Sequence, residues 1–357
     1  SNRRLKGNFH GTGCYLASSI ASLIASSETI ETSIQLAQLN TLKAIKNSIK
    51  KTPVVFSKKL NKMLGHSIFF KLENTQHTGS FKFRGAFNMI ASLKDDQKKR
   101  GIVAYSSGNH AQGVAAAAKI LKIESTIVMP LDAPKIKIEN TIRDGANVIF
   151  YNRSDSNRVK IAKEIVENTG ATLIPPFDAP EIIAGQGTMG LEFYRQINIK
   201  NIELDYLLAP CSGGGLIAGN AIVFKEKSPN SLIYCVEPEG YDDTAISLKA
   251  NKRKIITTKK DSFCDALLIE TPGELTFETN SKLLAGGLVV TQTETAQAIR
   301  AAFEDLKIII EPGGAVALAA ILAGKIKTKD KVIGIICSGG NIDYSTFRDV
   351  LDGKYSS

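Results

Sequence analysis

Cysteine is scarce and unclustered: Cys14, Cys211, Cys235, Cys264 and Cys337 are scattered over 357 residues with no C-x-x-C spacing. A sparse, odd set excludes a disulfide framework and reads as reduced thiols of a cytosolic protein. No apolar run approaches the roughly 18 residues that cross a bilayer. The most hydrophobic late stretch, 308–324, is broken by Glu311-Pro312-Gly313-Gly314. No Gly-x4-Gly-Lys-Ser/Thr loop occurs, so a Walker nucleotide site is excluded. There is also no basic stripe interleaved with aromatics. The net charge of +10 gathers near the start, where the first 60 residues carry nine basic and two acidic side chains. The remainder is nearly balanced, which argues against a nucleic-acid partner.

What is present is an ordinary globular mixture, 43% hydrophobic and 22% charged. Its length suggests two domains with a core that needs no metal or disulfide. From about residue 100, short β-rich runs alternate with helical ones. Strands are expected at 101–107, 125–130, 147–151 and 171–176, with helices at 111–121, around 134–144 and at 158–169. A second series has strands at 205–210, 231–237 and 331–337 and a helix at 216–227. This alternation implies right-handed βαβ crossovers, parallel sheets and two α/β lobes divided near 175–180. Ligands of such sheets lie beyond the carboxyl ends of the strands.

Three turns sit there. Ser106-Ser107-Gly108-Asn109-His110 opens a helix; it suits a carboxylate or phenolate oxygen, or is plain N-capping. Ser212-Gly213-Gly214-Gly215 joins a strand to the helix from Leu216, and its glycines and helix N-terminus suit a phosphate. The same turn satisfies a dinucleotide pattern, Gly213-x-Gly215-x-x-Ala218, with Glu237 where a ribose-binding acid would lie, so a nicotinamide oxidoreductase is a rival. Cys337-Ser338-Gly339-Gly340-Asn341 ends a third strand, and Ser338 could meet a ring nitrogen. Upstream, Lys82 stands between Phe81 and Phe83, before a helical run from Ala86. Such a lysine either snorkels to solvent or, with a lowered pKa, forms a Schiff base.

In order, S-F-K-F-R-G-A, S-S-G-N-H, S-G-G-G-L and C-S-G-G-N resemble the cofactor motifs of fold type II pyridoxal-phosphate enzymes, from about residue 41 onward. Threonine and serine dehydratases (ammonia-lyases) and serine racemases are the nearest branches. E-P-E-G-Y-D-D-T, T-P-G-E-L-T-F and E-P-G-G-A-V-A-L resemble the single-domain threonine dehydratases. The resemblance implies an α/β fold of the tryptophan synthase β-like type, with two parallel-sheet, three-layer lobes and the cofactor in the cleft. Residues 41–98 and 179–357 would form a large domain, and 99–178 a small one.

It also implies roles. Lys82 carries pyridoxal 5'-phosphate as a Schiff base and serves as the base at Cα. Phe81 packs near the ring, Asn109 bonds its phenolic oxygen, and Ser338 meets its nitrogen. Ser212, Gly213, Gly214, Gly215 and Leu216 hold the phosphate. Ser106, Ser107, Asn109 and His110 line the place of the substrate carboxylate. The activity implied is β-elimination, L-threonine to 2-oxobutanoate and ammonia, in amino-acid metabolism and isoleucine biosynthesis. With no sequence after residue 357 for a regulatory domain, isoleucine feedback is not expected. A racemase is the alternative, with Ser107 as the base on the opposite face; Phe177, where mammalian serine racemases carry a polar residue, leans toward the lyase. Glu237, Tyr241 and Asp243 match a divalent-cation site of the racemase-like branch, suited to Mg²⁺ or Ca²⁺. The expected partners are a small amino acid and further copies of the chain, as a homodimer or homotetramer, in the cytoplasm and without a membrane.

Residues 1–40 fall outside that resemblance. His10-Gly11-Thr12-Gly13-Cys14 resembles the C-terminal anion hole of hydroxymethylpyrimidine kinases. Without a nucleotide lobe before it, a helical remnant with no kinase activity is expected.

Overall fold

The structure, a computed structural model, describes residues 48–152, 154, 157–258 and 260–355. The extension expected over residues 1–40 lies outside them.

The chain opens with β1 (Val54–Val55), α1 (Lys58–Leu64), β2 (Ser67–Leu72), α2 (Lys82–Ser92) and α3 (Asp95–Lys99). It continues through β3 (Ile102–Tyr105), α4 (Asn109–Leu121), β4 (Ser125–Pro130), α5 (Lys135–Arg143), β5 (Asn147–Tyr151), α6 (Arg158–Thr169) and β6 (Thr172–Leu173). Then come α7 (Pro180–Asn198), β7 (Tyr206–Pro210), α8 (Gly215–Lys227), β8 (Leu232–Pro238), α9 (Asp243–Lys249), α10 (Glu274–Leu283), β9 (Gly286–Val290), α11 (Gln292–Ala301), α12 (Pro312–Leu322), β10 (Val332–Cys337) and α13 (Tyr344–Leu351).

Two sheets result. Six strands run in the order β1-β2-β10-β7-β8-β9 and four in the order β5-β4-β3-β6. The smaller sheet uses only residues between Ile102 and Leu173, an insertion between β2 and β7 of the larger one. Every pairing is parallel except the short edge β1 on β2. Parallel strands buried on both faces read as continuous apolar runs, and VIGIIC of β10 is such a run. β6 stops after two residues, short of the expected 171–176, because Pro175 and Pro176 follow and proline has no N–H for a ladder.

The apolar stretch interrupted at Glu311 becomes α12, buried along almost its whole length beneath the large sheet, with Pro312 at its first position. α2, α7 and α8 meet at glycines. A Cβ on Gly185 would lie 2.6 Å from Cα of Gly85, and one on Gly219 would lie 2.3 Å from the Ile183 carbonyl oxygen. This close approach braces the starts of α2 and α8 against a common helix.

Candidate active site

The helix expected from Ala86 begins four residues earlier, so Lys82 occupies the first turn of α2. The Phe81 N–H donates to the Ser338 carbonyl at 3.0 Å, tying the lysine to the end of β10. Lys82 Nζ donates to the Pro176 carbonyl at 2.6 Å and lies 5.3 Å from the centroid of the Phe81 ring. Burial pushes its pKa down to about 8, against the pull of Glu311. The amine projects into a cavity of about 520 Å³. Phe81, Ser106, Ser107, Asn109, His110, Ser212, Gly213, Gly214, Gly215, Leu216 and Ser338 all line it. The separate motifs thus converge on one space.

The glycine turn lines the same cavity. Gly214 has φ +92°, a left-handed conformation that favours glycine, and a Cβ on Gly213 would strike the Phe177 ring at 2.3 Å. Thr276 Oγ1 donates to the Gly213 carbonyl at 2.6 Å, and Asn280 Nδ2 to that of Gly214 at 3.4 Å. The loop carbonyls are therefore held from α10, leaving its N–H groups for a ligand. Ser212 Oγ is buried without a partner, and α8 starts with no side-chain cap. Free donors at a helix N-terminus are what a phosphate requires.

The third wall is the start of α4, which also lacks a side-chain cap. His110 Nε2 meets the Ile174 carbonyl at 2.9 Å, and burial, with Lys82 nearby, lowers its pKa to about 3. The imidazole is neutral, with Nε2 as the donor and Nδ1 unpartnered. What His110 offers an anion is its backbone N–H rather than a charged ring.

Residues not assigned from sequence complete the site. Lys137 of α5 is fully buried and pairs with Asp265 at 2.5 Å and with Glu311 at 3.3 Å, linking the small sheet's helix to the large lobe. Glu311 accepts from Asn109 Nδ2. Arg158 lines the cavity with its guanidinium 5.6 Å from the Tyr105 ring centroid. Glu311 begins the quoted E-P-G-G segment, so its motif was visible although its place in the site was not.

Glu237, Tyr241 and Asp243 lie elsewhere, at the end of β8, in the turn after it and at the first position of α9. Glu237 is buried and accepts from the N–H groups of Thr244 at 3.1 Å and Ala245 at 2.8 Å. It caps α9 and does not line the cavity, so it is unavailable as the ribose acid of the nicotinamide reading. Both carboxylate oxygens of Asp243 are buried without a partner. Among the described residues no three His, Cys, Asp or Glu side chains cluster as metal ligands, so this set depends on a backbone carbonyl.

Known proteins share this sequence pattern and fold over most of the chain. The family model described as pyridoxal-phosphate dependent enzyme matches residues 45–339. The chain is 39% identical over 310 residues to L-threo-3-hydroxyaspartate ammonia-lyase of Saccharomyces cerevisiae, covering 87% of this chain and 94% of the yeast protein. It is 38% identical over 310 residues to L-threonine ammonia-lyase of Thermotoga maritima, covering 87% and 76%. The structure of maize serine racemase superposes with a TM-score of 0.82 at 38% identity, covering 89% of this chain and 96% of the maize chain. A phosphomethylpyrimidine kinase model matches residues 1–57. The chain belongs to the pyridoxal-phosphate dependent enzyme family, which sets the nicotinamide reading aside.

Proposed function

We propose that this member of the pyridoxal-phosphate family is an ammonia-lyase that eliminates the β-hydroxyl of L-threonine or L-serine. The observation that carries this is the presence of one tuned base. Among the cavity's groups with displaced pKa values, burial lowers that of Lys82 to about 8 and raises that of Glu311, but Glu311 is engaged by Lys137 and Asn109, so Lys82 is the base left free for substrate. His110 is driven far down, while Tyr105 and Cys211 are driven up. Ser107, the base a racemase would need on the opposite face, has no hydrogen-bonded activating partner among the described residues.

The residues fit the cofactor. Lys82 would take its aldehyde, the Ser212–Gly215 turn its phosphate, Asn109 its phenolic oxygen and Ser338 its ring nitrogen. Pyridoxal phosphate supplies a carbonyl for the amine and a ring that draws electrons from the substrate Cα. Lys82 would be the group placed to take the Cα proton. The first N–H groups of α4, with Ser106 and Ser107, hold the substrate carboxylate. Ser338, a neutral hydroxyl, would be the partner of the ring nitrogen. The products are a 2-oxo acid and ammonia. Leu268 and Ile269 of the cavity wall suit the methyl group of threonine.

A second reading has its own observation. The Arg158 guanidinium makes no ion pair among the described residues, and a second carboxylate on the substrate would complement it. Assays with L-threonine, L-serine and L-threo-3-hydroxyaspartate, reading both 2-oxo acid and enantiomer, decide between the readings. Threonine turnover unaffected by Arg158→Leu supports the first; hydroxyaspartate turnover lost in that variant supports the second. Enantiomer formation without 2-oxo acid refutes both in favour of a racemase.

The lysine pKa sets a pH dependence. Only the neutral amine attacks an aldehyde. Capture of pyridoxal phosphate by the apoprotein therefore accelerates as pH rises and levels off above about 8. An unperturbed lysine would keep accelerating toward about 10.4. Stopped-flow absorbance between pH 6 and 10 measures this.

We further propose that Asp243 and Glu237, with the Tyr241 carbonyl, bind Mg²⁺ or Ca²⁺ away from the chemistry. The two unpartnered oxygens of Asp243 support it, since buried carboxylates are ordinarily paired or metal-bound. Mg²⁺ is expected to raise the melting temperature of the wild type, chelator to reverse the gain, and Asp243→Asn to abolish the response. A wild type indifferent to both reagents contradicts the site.

A further inference from the structure

We propose that Asn341 is a positioning residue: it fixes the orientation of the Asn109 amide so that an N–H, not the oxygen, is what Asn109 offers the cofactor ring. The proposal rests on the reading above that Asn109 meets the ring's phenolic oxygen.

The argument starts from an acceptor that cannot change roles. Asn341 Nδ2 lies 2.7 Å from the Thr78 carbonyl oxygen, and a carbonyl only accepts. The Asn341 amide is therefore oriented with its NH₂ toward Thr78. The same Nδ2 lies 2.8 Å from Asn109 Oδ1, so Asn109 must present its oxygen there. Its Nδ2 is then turned the other way, where one N–H goes to Glu311. One N–H remains, and Oδ1 is engaged. A phenolate oxygen is matched by that remaining donor and would be repelled by the oxygen.

The backbone around Asn341 is shaped to admit it. Thr78 has φ 58° and ψ 15°, an uncommon conformation for a β-branched residue, and Gly79 follows with φ +71°. A Cβ on Gly79 would lie 2.6 Å from Asn341 Oδ1. The Gly340 N–H donates to the Gly79 carbonyl at 2.9 Å, and Ser80 bridges Gly339. Asn341 thus joins the lead-in to Lys82 to Asn109. Its motif was read for Ser338, and the asparagine had no role.

The test uses Asn341→Leu, which keeps the approximate shape, adds no charge and removes both donor contacts. Three quantities are read: cofactor dissociation, the pH titration of the bound cofactor's visible absorbance, and melting of the apoprotein. With Asn341 gone, only the bond to Glu311 holds the Asn109 amide, so its remaining N–H is aimed less firmly at the phenolate and the deprotonated form is less stabilised. The titration midpoint is expected to rise by about one pH unit and cofactor binding to weaken about tenfold. In an Asn109→Ala background the substitution should add no further shift, because its effect passes through Asn109. A wild-type-like titration, or shifts that add in the double variant, overturns the proposal, whatever happens to apoprotein melting. Asn341→Ser, too short to reach both acceptors, is read in the same way if the leucine variant does not fold. A wild type with no visible cofactor band would instead refute the underlying cofactor reading, so the two failures are distinct.

Discussion

Lys82→Ala abolishes turnover of every hydroxy amino acid, a loss of more than about 10⁴-fold, since both the attachment point and the base disappear together. The side chain lines the cavity, and its one hydrogen bond among the described residues goes to the Pro176 carbonyl. Burial already disfavours its charge, so truncation removes a desolvated amine rather than a stabilising contact. The apoprotein is therefore expected to melt at or above the wild-type temperature while 2-oxo acid production vanishes. Lys82→Arg, which keeps a cation but cannot form the imine, should be equally inactive. Residual turnover in either folded variant would place the chemistry on another residue.

The second large effect concerns stability. Arg84, two residues after the lysine, is fully buried and grips Glu73 through two bonds of 2.7 and 2.8 Å. Its Nη2 also reaches Glu192 at 3.2 Å, and Glu192 accepts from Lys71 Nζ at 2.5 Å. Thr52 closes the cluster, donating through its hydroxyl to Glu73 at 2.6 Å and through its N–H to Glu192 at 2.8 Å. Removing one member of a buried network leaves its partners as uncompensated charges, at a cost of about 3–5 kcal/mol. Arg84→Ala is thus expected to lose that much in denaturant unfolding of the apoprotein, and a loss below about 1 kcal/mol would contradict the account. Adding Glu73→Gln should restore part of it. Acid acts on the same cluster. Although burial pushes Glu192 up, Arg84 and Lys71 hold its pKa below the usual carboxylate value. A depressed carboxylate stabilises the fold above its unfolded pKa. Its contribution fades as pH falls from that value, about 4.3, through the lower folded one.

Legibility in the sequence followed the physics of burial. The strands at 125–130 and 147–151 and the helix at 158–169 were read to the residue, because apolar runs and amphipathic periodicity there are interrupted by nothing. β2 was missed. Its run SIFFKL contains Lys71, a charge that local reading treats as exposed; the Thr52 carbonyl and, more than 120 positions away in the chain, Glu192 and Gln196 make it a core residue. β9 was missed because it opens on two glycines, which weaken any strand signal. The motifs located the cavity, since each lies at the end of a strand or the start of a helix. They did not show that Lys137, Asp265 and Glu311 would meet across it, because α5 precedes Asp265 by more than 120 residues. Fixed acceptors likewise decide the side-chain orientations of His110 and Asn109, and only the folded chain brings them close.

The measurement that bears most directly on the whole account is borohydride reduction of the yellow holoprotein, followed by peptide mapping with mass spectrometry. The account predicts bleaching and a single pyridoxyl adduct on Lys82. An adduct on any other lysine, or no adduct at all, would contradict it.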